Sequence, residues 1–299
     1  MENVLKKCIL CGSEKLKALP GYEFAWLCKC SRCSMVFSSR NPSMEELEDY
    51  YKGYGRNDYL SPLTIKRYNE ILDTFEPFRK TNKLIDVGCG IGYFLEVAKT
   101  RGWEVYGTEF TDKAIEICES KGIKMQKGVL NPEHYQPGQF DLVTSFEVIE
   151  HINTPNDEVK AFHKILRPGG ALYITTPNFN SLLRYYLKGS YNVIGWPEHL
   201  SYYTPSTLKK LMVNHGFSTR FVKATGISLT RFRTSKAPST SEEIREGTEF
   251  ISADSADEKL RNSMEKNKVL GSAKNAINNI LTLSGKGDAL KGFFVKKTP

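Results

Sequence analysis

Between residues 83 and 176 the chain alternates short apolar runs with amphipathic stretches, and this restricts its fold more than any other feature. Residues 83–87, 104–108, 123–127, 140–146 and 171–176 read as strands, with helices at 92–101, 111–121 and 154–166 between them. Parallel neighbours in a sheet need a crossover, usually a helix, so repeated strand–helix–strand units predict a parallel sheet covered on both faces. The expected class is α/β, a doubly wound Rossmann-like sheet. Residues 217–225 add a sixth strand and 289–295 a closing seventh, the last one antiparallel. No internal repeat interrupts the pattern.

The flanks read differently. Five of seven cysteines lie in the first 33 residues. Cys8-Ile-Leu-Cys11 and Cys30-Ser-Arg-Cys33 are two CxxC turns separated by eighteen residues, a spacing that places four thiolates around Zn²⁺. Gly12 lets the first turn fold back on its sulfurs, and the aromatic stretch 19–27 suits a ribbon hairpin. Four protein ligands leave no open position, so this zinc is expected to be structural. Cys28 is the spare thiol. Residues 1–42 are therefore read as a zinc ribbon and 43–80 as linker helices, entered through a Ser43–Glu46 capping box and reopened at Pro62 after the tyrosine-rich stretch 50–59. Residues 81–234 form the main α/β domain, 235–284 a polar then helical excursion, and 285–299 the closing strand.

The first strand of the alternation runs into Asp86-Val87-Gly88-Cys89-Gly90-Ile91-Gly92 and opens a helix. Glycines let backbone approach a ligand, and a helix N-terminus attracts an anion. The spacing is GxGxG, with Tyr93 where a dinucleotide fingerprint places its last glycine. Asp86 at the strand end repels a pyrophosphate but can accept from the ammonium of a methionine moiety. Glu109, ending the second strand, can accept both hydroxyls of a ribose. Together these favour S-adenosylmethionine.

On those residues, and on FDLVTSFEVIEHI, LRPGG and ALYITTPN after them, segment 84–177 resembles class I S-adenosylmethionine-dependent methyltransferases. The resemblance implies that Asp86, Gly88, Cys89, Gly90 and Gly92 cradle the methionine and ribose portions. It also implies that Glu109 grips the ribose, that Phe110 flanks the adenine, that Val129 and Leu130 meet its edge, and that Phe146 borders the cofactor. Where many members carry an Asp to read the adenine amino group, this chain has Val129, so a backbone contact must serve. The CxxC leader followed by Met-Val-Phe and Asn-Pro-Ser is similar to a subgroup associated with bacterial surface-polysaccharide and sugar modification.

Glu147, Glu150 and His151 follow the fourth strand, and His199 lies in the aromatic loop WPEHLSYY. One helical turn would align Glu147 with Glu150. Two carboxylates and two imidazoles can hold Mg²⁺ or Mn²⁺ in an open site, or His151 or His199 can serve as a general base without metal. The ExxEH string resembles small-RNA 3′-terminal 2′-O-methyltransferases and ubiquinone-biosynthesis O-methyltransferases. In both, the metal's task would be to lower the pKa of one of two vicinal hydroxyls and aim it at the methyl group. Such strings also occur in this fold with no metal, Glu150 capping a helix and His151 hydrogen-bonding backbone near the cofactor. Residues 178–203 carry seven aromatics with Arg184 and Lys188, which suits a sugar face or planar ring and, four residues apart, a phosphate. Asn178 either faces the acceptor or closes a turn.

Net charge is +8, but the lysines are spread rather than blocked, so nucleic acid is not the expected partner. No apolar run is long enough to cross a bilayer and the first residues lack a signal-peptide pattern, so a cytoplasmic location is the expectation. The sequence thus predicts an O-methyltransferase acting on a sugar or glycan hydroxyl. Methylation of an RNA terminus or a quinone-like catechol is the alternative, and a non-catalytic cofactor-binding scaffold, docking a protein through its ribbon, is a second one.

Overall fold

A computed structural model describes residues 4–51, 60–228, 231–232, 235 and 268–298. Most of the tyrosine-rich stretch and nearly all of the polar segment 235–262 fall outside the described residues.

The main sheet is built from β4 (Lys83–Val87), β5 (Glu104–Glu109), β6 (Lys124–Lys127), β7 (Phe140–Phe146), β8 (Leu166–Pro177), β10 (Phe217–Thr225) and β11 (Ala289–Lys296). Its order is β10-β11-β8-β7-β4-β5-β6. The strands from β4 to β8 are parallel, and β11 runs antiparallel between β8 and β10. From β4 the chain winds outward to β5 and β6, then returns to lay β7 and β8 on the other side. The strand order reverses between β4 and β7, and ligands of open α/β sheets bind at the carboxyl ends of such a pair.

Helices α2 (Pro62–Phe75), α3 (Tyr93–Thr100) and α4 (Asp112–Ser120) cover one face through a core that includes Leu72, Phe75, Leu95 and Cys118. Helices α5 (Pro155–Ile165) and α7 (Pro205–Asn214) cover the other through Val159, Phe162, Leu208 and Leu211. Their start signals are local. Ser61 accepts from Thr64 N–H before Pro62, and Thr204 makes a capping box with Thr207 before Pro205. Ser43 and Glu46 likewise exchange bonds at the start of α1 (Met44–Tyr51). Helix α8 (Lys268–Ser284) packs on β10 and leads into β11. The LRPGG residues, ahead of the strand expected at 171–176, are themselves drawn into β8. Leu166 pairs with Phe140, and the register shifts before Ala171 pairs with Leu142.

A second sheet has the order β1-β2-β3-β9, from β1 (Leu16–Ala18), β2 (Leu27–Cys30), β3 (Val36–Ser38) and β9 (Ser201–Tyr202). Three strands come from the N-terminal segment and the fourth from the loop before α7. The small sheet is therefore not complete within residues 1–42. Cys8, Leu10, Cys30, Met35 and Phe37 share one buried cluster with Ile149, Val159 and Phe162 of the main fold. Among the described residues no helix is long and apolar enough to cross a membrane.

Candidate functional site

The carboxyl ends of β4 and β7 meet at the glycine turn. Asp86 is 3% exposed and accepts from Thr144 Oγ1 of β7 at 2.7 Å. Gly88 has φ +72°, and a Cβ there would lie 2.5 Å from Val148 Cγ2, so only glycine lets the turn after β7 pass this closely. Gly107 answers the same need on β5, where a Cβ would meet Cys89 Sγ at 2.6 Å. Glu109 reaches across from β5. Its Oε2 accepts from Gly90 N–H at 3.0 Å and its Oε1 from Phe110 N–H at 2.8 Å. A half-buried carboxylate thus hangs over a turn of positive-φ glycines, with a second carboxylate buried behind it. That is the pairing an aminoacyl-nucleoside with vicinal ribose hydroxyls fits.

The other residues assigned to the cofactor divide into two groups. Phe110 and Val129 are 65% and 66% exposed, open to a planar ring. Cys89 and Leu130 are turned into the core. The neighbouring Cys118 thiol, with burial, pushes the Cys89 thiol up, so only the backbone of Cys89 is offered to a ligand. Phe146, at the end of β7, stacks edge-on against Phe94 at 4.9 Å and tilts against Tyr173 at 5.8 Å.

Beyond β7 the structure brings together Glu150, His151 and His199, whose ligating atoms lie within 4.8 Å of one another. Glu147 is not in this group. It sits in the left-handed region at φ +52° with its N–H on Thr175 O, and a single 3₁₀ turn, Ile149–His151, follows. The helical turn expected to align Glu147 with Glu150 does not form. The backbone must leave β7 sharply to clear Gly88, and the left-handed residue makes that corner.

Glu150 does not cap a helix. It is 3% exposed and accepts from Thr176 Oγ1 at 2.9 Å. Burial, and then the charge of Glu147, hold its carboxyl well above the usual range, against the opposing pull of Thr176 and Arg231. His151 is held down at about 4 by burial and then by His199, with Glu198 opposing. His151 Nδ1 lies 3.0 Å from Glu198 O, and His199 Nδ1 lies 2.6 Å from Val193 O. Carbonyls only accept, so each Nδ1 is the donor in these bonds, and the His151 ring also meets the Glu147 backbone. The rings stand edge to face with centroids 4.8 Å apart. Sequence reasoning missed Thr176, Glu198 and Arg231. Glu198 adjoins the histidine that was singled out, but nothing in the pattern says that its carbonyl would hold His151.

Several expected acceptor residues are structural. Asn178 closes a turn, the second of its two expected roles: it is fully buried, its Oδ1 accepts from Asn180 N–H at 2.9 Å, and its amide donates to Gly285 O and Gly287 O. Arg184, in α6 (Leu182–Leu187), donates to Phe179 O and stacks on Phe179 and Tyr185, so it is not aimed at a phosphate. Tyr191 is 1% exposed.

In the ribbon, Cys8, Cys11, Cys30 and Cys33 converge, with Sγ···Sγ separations of 3.5 Å for Cys8–Cys33 and 3.6 Å for Cys11–Cys30. A tetrahedron of Zn–S bonds of about 2.3 Å has edges of about 3.8 Å, so the donor set fits zinc. Burial opposes ionisation at Cys30, but N–H groups of Cys33 and Arg32 outweigh it and bring that thiol to about 7. Cys28 stays outside the group, pushed up to about 12 by burial.

A family model described as a methyltransferase domain matches residues 59–220, more than half of the chain. Among curated relatives, the ubiquinone biosynthesis O-methyltransferase of Azoarcus sp. strain BH72 is 31% identical over 147 residues, which is 45% of this chain and 63% of that protein. The protein of the same name from Idiomarina loihiensis is 29% identical over 144 residues, 43% and 58% respectively. The chain therefore matches about three-fifths of the length of these relatives. A SAM dependent methyltransferase from Archaeoglobus fulgidus superimposes with a TM-score of 0.50 at 19% identity, covering 84% of this chain and 99% of that one. The 4+2 cyclase SpnF gives 0.52 at 14%, covering 87% and 98%. The fold is shared with both, and a cyclase among them means that the reaction must be argued from side chains.

Proposed function

The chain belongs to the methyltransferase-domain family, and on that premise we propose that it transfers the methyl group of S-adenosylmethionine to a ring hydroxyl of a small catechol-like acceptor. The observation that carries this reading is the Glu150–His151–His199 group beside the glycine turn, whose ligating atoms lie within 4.8 Å of one another. S-adenosylmethionine supplies an electrophilic methyl carbon on a sulfonium that leaves as a neutral thioether. The residues must then bind the nucleoside, aim the acceptor oxygen and take its proton. Asp86, Glu109 and the Gly88–Gly92 turn serve the first task, with Phe110 and Val129 at the adenine. His151, at about 4, is a weak base, which leaves His199 to receive the proton while His151 and Glu150 orient the acceptor.

The names of the matching relatives support a ring hydroxyl ahead of the sugar hydroxyl expected at first. A second reading adds a divalent ion to Glu150, His151 and His199. One oxygen and two nitrogen donors suit such an ion, and its charge would displace the proton that burial keeps on Glu150. In the ribbon, Cys8, Cys11, Cys30 and Cys33 would hold a structural zinc.

Calorimetry with S-adenosylmethionine and a labelled-methyl assay with catechol test the proposal together. Saturable cofactor binding and methylated catechol are expected. Folded protein that binds no S-adenosylmethionine would overturn the family-based reading. Binding without methyl transfer to catechol would overturn the acceptor. Turnover that survives a chelator, with ribbon zinc still bound, would end the second reading.

A further inference from the structure

The N-terminal residues ahead of the matched segment touch the loop that carries Glu198 and His199 at several points. Strand β3 pairs with β9, Phe37 against Ser201 and Val36 against Tyr202. Ser38 N–H donates to Leu200 O at 2.8 Å, while Leu200 N–H donates to Glu150 O at 2.8 Å. One peptide unit on either side of Leu200 thus ties the ribbon edge to the turn that bears Glu150 and His151. Ser201 Oγ adds a bond to Ile152 O at 2.6 Å.

Two side chains reinforce this tie. The Arg40 guanidinium lies 4.6 Å from the ring centroid of Trp26 in the ribbon and 4.6 Å from that of Trp196 in the loop. Trp196 Nε1 donates back to Arg40 O at 3.3 Å, and Glu46 holds the guanidinium at 2.8 Å. Cation–π contacts of this kind add attraction to the apolar contact of the rings. Farther on, Tyr50 of α1 donates its hydroxyl to Glu198 Oε2 at 2.6 Å. The same Glu198 accepts from His151 through its carbonyl. Glu198 is thereby fixed at both ends, and the ring it orients belongs to the candidate site.

We propose that Arg40 and Tyr50 are positioning residues for the two site histidines, Arg40 acting through Trp196 and Tyr50 through Glu198. This rests on the reading of Glu150, His151 and His199 as the reaction site. It assigns the N-terminal segment a part in the chemistry, and explains why the small sheet recruits its fourth strand from the loop beside His199. Neither residue belongs to the converging group or to the glycine turn, so the expected signature is a loss in turnover with cofactor affinity retained.

The test uses the full chain with Tyr50→Phe, Arg40→Gln and Arg40→Lys. Catechol methylation, calorimetric affinity for S-adenosylmethionine and amide hydrogen exchange at Leu200 are measured on each. Tyr50→Phe deletes one oxygen from a partly buried ring, so folding is preserved. It should lower kcat about ten-fold while changing cofactor affinity less than about two-fold. Arg40→Gln should lower protection of the Leu200 amide about ten-fold and leave the glycine-turn amides unchanged, and Arg40→Lys should recover most of both kcat and protection. Wild-type kcat and wild-type Leu200 protection in both Tyr50→Phe and Arg40→Gln would overturn the proposal. If the wild type binds cofactor but leaves catechol unmethylated, the acceptor reading has failed instead, and exchange at Leu200 alone decides the positioning role.

Discussion

The four-cysteine knot and the Glu150–His151–His199 group are both sets of converging donors, but they differ in closure and chemistry. The knot offers four like sulfurs, three of them buried, drawn from one 26-residue stretch of the ribbon. The second group offers one carboxylate and two imidazoles from two loops, and each imidazole has its Nδ1 tied to a carbonyl. A closed, uniform set suits a structural ion, whereas an open, mixed set suits binding and proton transfer. Leu200 hydrogen-bonds both the ribbon strand that follows the knot and the turn that bears Glu150, so disturbing the knot is expected to reach the second group, whereas disturbing the second group should leave the knot intact.

The largest effect should follow Cys30→Ser. A zinc-ribbon knot gains about 10–16 kcal/mol from its metal, and loss of one thiolate forfeits several kcal/mol of that. Bound zinc should fall to a small fraction of an equivalent, and Tm by roughly 10 °C. Full zinc content and an unchanged Tm would reduce the knot to packed thiols. Next comes His199→Ala. Removal of a general base costs about 10²–10⁴ in kcat, with zinc content and cofactor affinity unchanged. A comparable loss of cofactor affinity would erase the division of labour between glycine turn and histidine loop.

The knot was legible in the sequence because its information is local. Two CxxC turns name all four converging cysteines, and the spare, Cys28, falls on β2 outside the group. The glycine turn was legible for the same reason, as were the seven strands, since periodicity and breakers act over a few residues. The histidine site was only half legible. ExxEH named Glu150 and His151, but the extra carboxylate at Glu147 followed from an assumed helical turn that the corner at φ +52° prevents. Arg184 looked like an acceptor contact and Asn178 stayed open between acceptor and turn because polar side chains in an aromatic loop carry no mark of burial; the partners of Asn178 lie as far off as Gly285 and Gly287. The part of Arg40 and Tyr50 depends on contacts across about 150 residues, and no motif encodes it.

A smaller effect separates the sites by pH. His151 in the folded protein sits at about 4, below the ordinary 6.5. Between those values the unfolded chain binds a proton that the native ring refuses. The stability contribution is therefore full above about pH 6.5 and is lost as pH falls toward about 4, to a total of about 3 kcal/mol. In metal-free protein, the denaturant stability of wild type minus that of His151→Gln should rise with pH across this window. A flat difference would mean that the ring is hydrated and the site more open than its burial implies.

The smallest effect belongs to Glu147, and it bears on how the two carboxylates divide their work. The charge of Glu147 adds to burial in pushing the Glu150 carboxyl up. Replacement by glutamine removes the repulsion but no member of the converging group, so kcat should fall less than about five-fold, whereas Glu150→Gln should cost about a hundred-fold. The Glu150 carboxyl should also titrate lower in Glu147→Gln, which carbon-detected NMR can follow. Equal losses from the two substitutions would mean that the corner at Glu147 rebuilds when ligand arrives and swings the side chain inward. The helical alignment read from the sequence would then describe the loaded enzyme, and the left-handed corner the free one.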